Sequence, residues 1–83
     1  MHDLLSIEKF LQFTADELLV GANEINKNTT FRSIRTWSSL NALVFISRIN
    51  EELNVFISAS DLASCQTIED IHLLLKSRFN GTD

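Results

Sequence analysis

Ser38-Ser39-Leu40, where a polar stretch gives way to the apolar run 40–53, is the place where residue type and setting could support covalent chemistry. A serine that opens a helix faces solvent at the positive end of the helix dipole. Its hydroxyl could carry a phosphate ester there without disturbing a core. The plainer reading of such serines is a helix N-cap. The two roles are compatible, with Ser38 capping while Ser39 faces solvent. The other reactive residue types form no catalytic set. His72 lies within a helical pattern between Ile71 and Leu73, with no organised nucleophile or acid pair, and reads as a partly exposed surface histidine. Cys65 has Glu69 and Asp70 nearby in sequence, and acids raise a thiol pKa, so it is a poor nucleophile. Glu51-Glu52 reads as a solvated helix face and Trp37 as an apolar pin. His2, His72 and Cys65 lack any zinc spacing, so no metal site and no enzyme activity are expected.

Positioning Ser39 requires helices. Proline is absent and glycine occurs only at 21 and 81, which favours helices over a turn-rich β fold. Leu4, Ile7, Leu11, Ala15 and Leu18 recur at helical spacing, widened by Phe10 and Leu19, and Gly21 suits the end of that first helix. Residues 21–37 read as a long loop, rich in Asn and Thr, that needs pinning. Ile25, Phe31, Ile34 and Trp37 are the candidate pins.

The second helix is expected over Ser39–Leu53, with Ala42, Phe45, Ile46, Ile49 and Leu53 buried and Asn54 as its stop. Leu40, Leu43 and Val44 make its early part apolar beyond one face, as a central helix or a partner surface would be. Val55-Phe56-Ile57 bridges to a brief third helix around Ser60-Asp61-Leu62. Thr67 caps the last helix, with Glu69 and Asp70 in its first turn. Ile68, Ile71, Leu74, Leu75 and Phe79 form its apolar side, Lys76 and Arg78 lie near its end, and residues 81–83 read as a frayed tail. The expectation is an all-α, small four-helix bundle filling residues 1–83 as one domain, with three main helices, one short helix and a long loop between the first two.

Bulk properties narrow the function further. Eleven acidic against seven basic residues give a net charge of −4, which lacks the basic footprint of a nucleic-acid binder. One cysteine cannot form an internal disulfide, consistent with a reduced cytoplasmic setting. Met1-His2-Asp3 does not open a signal peptide, and no stretch approaches the roughly 20 apolar residues of a membrane span.

From about Ile25 to Leu75 the order and spacing of these features resemble an acyl carrier protein. The resemblance is carried by Ile25, Thr29-Thr30-Phe31, Ile34, the Ser39-Leu40 pair, and an apolar helix ending in Glu51-Glu52-Leu53. It continues through Val55-Phe56-Ile57, Asp61-Leu62 and Thr67-Ile68-Glu69-Asp70-Ile71. It implies that Ser39 carries 4′-phosphopantetheine, placed by a phosphopantetheinyl transferase from coenzyme A as a phosphodiester, making the chain a phosphoprotein. The arm would hold an acyl-type group as a thioester for acyl-loading, acyl-transfer or synthase enzymes, and the carrier itself would catalyse nothing. Fatty acid biosynthesis and other lipid metabolism, polyketide, amino acid and surface-polymer pathways all use such a scaffold. The resemblance further implies a monomer. It also implies an acyl pocket lined by Phe45, Ile46, Ile49, Val55 and Ile71, and a partner surface including Ser38, Leu40, Asn41, Leu43, Val44, Glu51, Glu52 and Asp61. Ser38 stands where the family usually has Asp, and Asn41 and Val44 replace the usual acids early in helix two. Arg35 and Arg48 add positive charge. These departures imply a specialised carrier with its own partner set, or alternatively a carrier-fold interaction module that has lost the prosthetic group.

Overall fold

Four helices order the chain in the computed structural model, which describes residues 4–80: α1 Ile7–Leu18, α2 Ser39–Leu53, α3 Ala59–Ala63 and α4 Ile68–Asn80. The readings made for Met1-His2-Asp3 and for residues 81–83 lie outside the described residues. Two 3₁₀ turns, Ala22–Glu24 and Phe31–Ser33, interrupt the loop between α1 and α2. The architecture is the all-α bundle that the periodicity implies, and one hydrophobic core runs through it.

An aromatic cluster forms the middle of that core. Phe10 and Phe13, one turn apart on α1, lie 6.3 Å apart between ring centroids, and both meet Phe45 of α2 at 6.2 and 5.9 Å. Large side chains of this kind contribute most of the burial energy in so small a chain. The cluster also turns α1 about its axis. Phe10, Phe13, Thr14, Ala15 and Leu18 are buried, whereas the stripe residues Ile7 and Leu11 are half-buried. Phe13 is absent from the sequence-derived stripe because two aromatic rings, not the leucines, decide which face turns inward.

Four sequence expectations are corrected here. α1 stops at Leu19, which takes the left-handed conformation (φ 59°, ψ 43°), and not at Gly21, whose φ is −73°. Leu19 is therefore 80% exposed and does not widen the buried face. Ending the helix early lets the Val20 N–H return to the Ala15 carbonyl (3.0 Å). Phe79 is likewise outside the core: α4 buries Ile68, Ile71, His72 and Leu75, and Phe79 lies one turn beyond Leu75, 48% exposed. His72 is not a surface residue. It is 5% exposed, packs at 5.4 Å from Phe10, and donates from Nε2 to the Leu5 carbonyl at 2.9 Å.

The long loop is pinned twice. Ile25, Phe31 and Ile34 are buried, and Trp37 packs edge-on against Phe31 (4.9 Å) and Phe45 (6.3 Å). Backbone bonds do the rest: Phe31 N–H to Gln66 O, Ile68 N–H to Thr29 O and Glu69 N–H to Lys27 O tie the loop to the start of α4. They form a one-residue antiparallel bridge between Thr30 and Thr67. This satisfies backbone groups that a 17-residue loop would otherwise leave to water.

The helix ends follow from local chemistry. The Ser58 hydroxyl accepts from Asp61 N–H while the Asp61 carboxylate accepts from Ser58 N–H, a capping box that starts α3 at Ala59, one residue earlier than Ser60. Thr67 Oγ1 accepts from Asp70 N–H at 3.1 Å, and Asp70 accepts in return from Thr67 and Gln66 N–H at 3.0 Å. Asn54 stops α2 in the left-handed conformation at φ 55°.

Candidate functional site

Ser39 is the first residue of α2, exposed, and preceded by a serine that satisfies the helix start. The Ser38 hydroxyl accepts from Asn41 N–H at 3.1 Å, and the Ser38 carbonyl accepts from Ala42 N–H at 2.8 Å. Asn41 Nδ2 donates to the Thr36 carbonyl at 2.6 Å, which fixes the chain entering the helix. The capping and anchoring duties thus fall to Ser38 and Asn41, and the Ser39 hydroxyl is engaged by no hydrogen bond among the described residues. The N–H groups of the first helical turn point along the axis past this serine, and the dipole there favours an anion.

Beside Ser39 runs an open groove of about 500 Å³ between the start of α2, α3 and the Phe31 turn. Its walls include Trp37, Ala42, Leu43, Ile46, Ala59 and Leu62. Ala42 on α2 and Ala59 and Ala63 on α3 leave the space between the two helices, and Trp37 forms part of the wall. Trp37 therefore serves both as a loop pin and as a groove wall. Among the described residues the one charged group lining the groove is Arg32.

Electrostatics around the site follow from three arginines. Arg48, on α2, meets Glu17 (3.1 Å), Glu51 (2.8 Å) and Glu52 (3.5 Å), and these acids, Glu17 first, raise its pKa further. Arg78 grips Asp61 with two bonds of 2.9 and 3.0 Å, which holds the Asp61 carboxyl down to about 2. Arg32 instead donates to the carbonyls of Leu62 and Cys65, both at 2.8 Å, and stacks 4.6 Å over the Phe31 ring. Cys65 is buried, and burial first, with Asp70 a lesser cause, pushes its thiol pKa up. That thiol is inert for a reason stronger than neighbouring acids alone.

The residues named for a partner surface divide into two groups. Ser38, Leu40, Asn41, Leu43 and Val44 surround Ser39, with Leu40, Leu43 and Val44 exposed by 69%, 58% and 45%. Glu51 and Glu52 lie at the far end of α2 and Asp61 on α3, all three engaged by arginines. Of the five residues named for an acyl pocket, Ile46 lines the groove. Phe45, Ile49 and Ile71 are packed in the core, and Val55 is half-buried in a second groove with Leu53, Phe56 and Phe79. Arg32, Ala59 and Ala63 line the groove without having been singled out in the sequence. Arg32 reaches carbonyls 30 and 33 residues away, so no local spacing marks it.

A phosphate-linked arm fits these surroundings. Its phosphate would sit on an exposed hydroxyl at a helix N-terminus, where backbone N–H groups and the dipole favour negative charge. The arm's length would have an apolar groove to lie along. No helix among the described residues is long and apolar enough to cross a membrane. No group of His, Cys, Asp and Glu among them could hold a metal ion. No curated protein matches the chain. Residues 8–73, from the first turn of α1 into α4, match the family model described as phosphopantetheine attachment site. The match spans most of the sequence, so the chain belongs to this family of carrier domains, which bear covalent 4′-phosphopantetheine and are not enzymes.

Proposed function

We propose that Ser39 is the residue that bears the prosthetic group and that the chain carries an acyl-type cargo between partner enzymes. The observation that carries this reading is the placement of Ser39: exposed, first in α2, and on the rim of an apolar groove. When bound, the arm supplies a terminal thiol that holds cargo as a thioester. The protein's own contribution is positional. Ser38 caps the helix so that the Ser39 hydroxyl stays available, Asn41 fixes the entering chain, and the groove shelters apolar atoms from water. A short acyl chain lies against Ile46, and a longer one reaches Phe45, Ile49 and Ile71 by parting α2 from α3.

The transferase and the acyl-loading, acyl-transfer or synthase enzymes dock over Ser38, Leu40, Asn41, Leu43 and Val44. Glu51, Glu52 and Asp61 form the margin of that surface. The carrier works as a cytoplasmic monomer, and its Ser-Ser-Leu site and apolar docking face suit a specialised partner set.

Incubation of the apo protein with coenzyme A, magnesium and a broad-specificity phosphopantetheinyl transferase, followed by intact mass measurement, tests the assignment. One phosphopantetheine is expected per chain, retained in Ser38→Ala and lost in Ser39→Ala. A gain that persists in Ser39→Ala overturns the residue assignment. No gain on a folded chain favours an interaction module that docks through Leu40, Leu43 and Val44.

A further inference from the structure

We propose that Arg32 makes the groove beside Ser39 a receptor for cargo that ends in a carboxylate. The inference deepens the carrier reading and rests on it. Among the described residues Arg32 is the one charged residue lining the groove, and no carboxylate among them lies within ion-pair distance of it. The other arginines of α2 and α4 are matched to acids: Arg48 to Glu17, Glu51 and Glu52, and Arg78 to Asp61. Arg32 is different in its partners.

Its guanidinium is also held in place. Nη1 donates to Cys65 O and Nη2 to Leu62 O, both at 2.8 Å, while the Phe31 ring lies 4.6 Å below. Two of the five N–H donors of the fork are spent on these carbonyls, and the remainder are left for a ligand. A rigid, partly satisfied guanidinium loses little side-chain freedom when it binds, and a carboxylate matches its planar donors. A wholly apolar cargo drawn over Arg32 would strip water from a cation and return nothing. A cargo with an apolar stem and a terminal carboxylate uses both parts of the groove: the stem lies along Leu43, Ile46 and Leu62, and the carboxylate meets Arg32.

The phosphodiester of the arm is a second anion that could reach Arg32, so the test separates the two. Ser39→Cys is alkylated with phosphate-free arms of equal length that end in either a carboxylate or a carboxamide. Cys65 is 5% exposed and stays unmodified, which a single adduct by mass confirms. This route needs no transferase, so it stands even if enzymatic loading of Ser39 fails. The carboxylate arm is expected to raise Tm by about 2–4 °C over the carboxamide arm, as a solvent-touched ion pair should in a domain this small. The difference shrinks in 1 M salt and vanishes in Arg32→Gln. Equal Tm values for the two arms overturn the proposal whether or not Arg32→Gln folds. So does a difference that survives Arg32→Gln. An Arg32 effect confined to the phosphodiester of the enzymatically loaded chain, with the two synthetic arms alike, assigns Arg32 to the arm and overturns it as well.

Discussion

Ser38 and Ser39 show how two adjacent residues of one type are given different work by a helix boundary. The N-cap hydroxyl is consumed by Asn41 N–H, and the next hydroxyl, at the first helical position, is left exposed. Thr14 is the opposite case. Its Oγ1 is buried in α1 and has no hydrogen-bond partner among the described residues. A hydroxyl without a partner loses its water on folding and gains nothing in exchange. Thr14→Val keeps the shape and removes that loss, so it should stabilise the fold by about 1 kcal/mol. In thermal unfolding this is a rise of roughly 4–8 °C for a chain of this size. An unchanged or lower Tm would mean that the hydroxyl has a partner on folding after all.

The elements were legible to different depths. The start of α2 at Ser39 and the cap at Thr67 follow from side chains that bond three residues along the chain, and the stop at Asn54 from a residue type that accepts the left-handed conformation, all of which sequence spacing exposes directly. The end of α1 was not legible. Gly21 is the residue with conformational freedom, yet Leu19 adopts the left-handed turn, because the chain must reverse at once to bring Val20 back over Ala15. The loop-to-α4 bridge, the Arg32 anchor and the burial of His72 share that character. Each joins residues far apart in sequence, and periodicity carries no information about them. Leu19 offers a test at this scale. A branched side chain at φ 59° is strained, and 80% exposure means its removal forfeits little burial. Leu19→Gly should therefore stabilise by about 0.5–1 kcal/mol, the relief exceeding the added freedom of the unfolded chain. A shift in urea midpoint at constant m-value would show it.

Across the whole molecule, two tertiary contacts respond to acid in separate ranges. His72 joins α4 to the segment before α1 through the Leu5 carbonyl, and burial, the leading cause, holds its pKa below the usual 6.5. The unfolded chain then binds a proton more readily than the folded one, so stability rises with pH through this range. The contribution is complete above about pH 6.5 and declines as pH falls from there toward the lowered folded value. Asp61 ties α3 to α4 through Arg78, and its carboxyl falls from 3.8 to about 2 in the folded state. Its contribution holds above pH 3.8 and is lost between there and about pH 2. Thermal unfolding followed from pH 7.5 to 2.5 should thus show two declines in Tm, separated by a flatter interval. His72→Gln, which can keep a donor toward Leu5, should flatten the upper decline and leave the lower one, and Asp61→Asn should do the reverse. A single decline that both variants alter equally would mean that acid acts on the net charge of the chain, with neither contact titrating on its own.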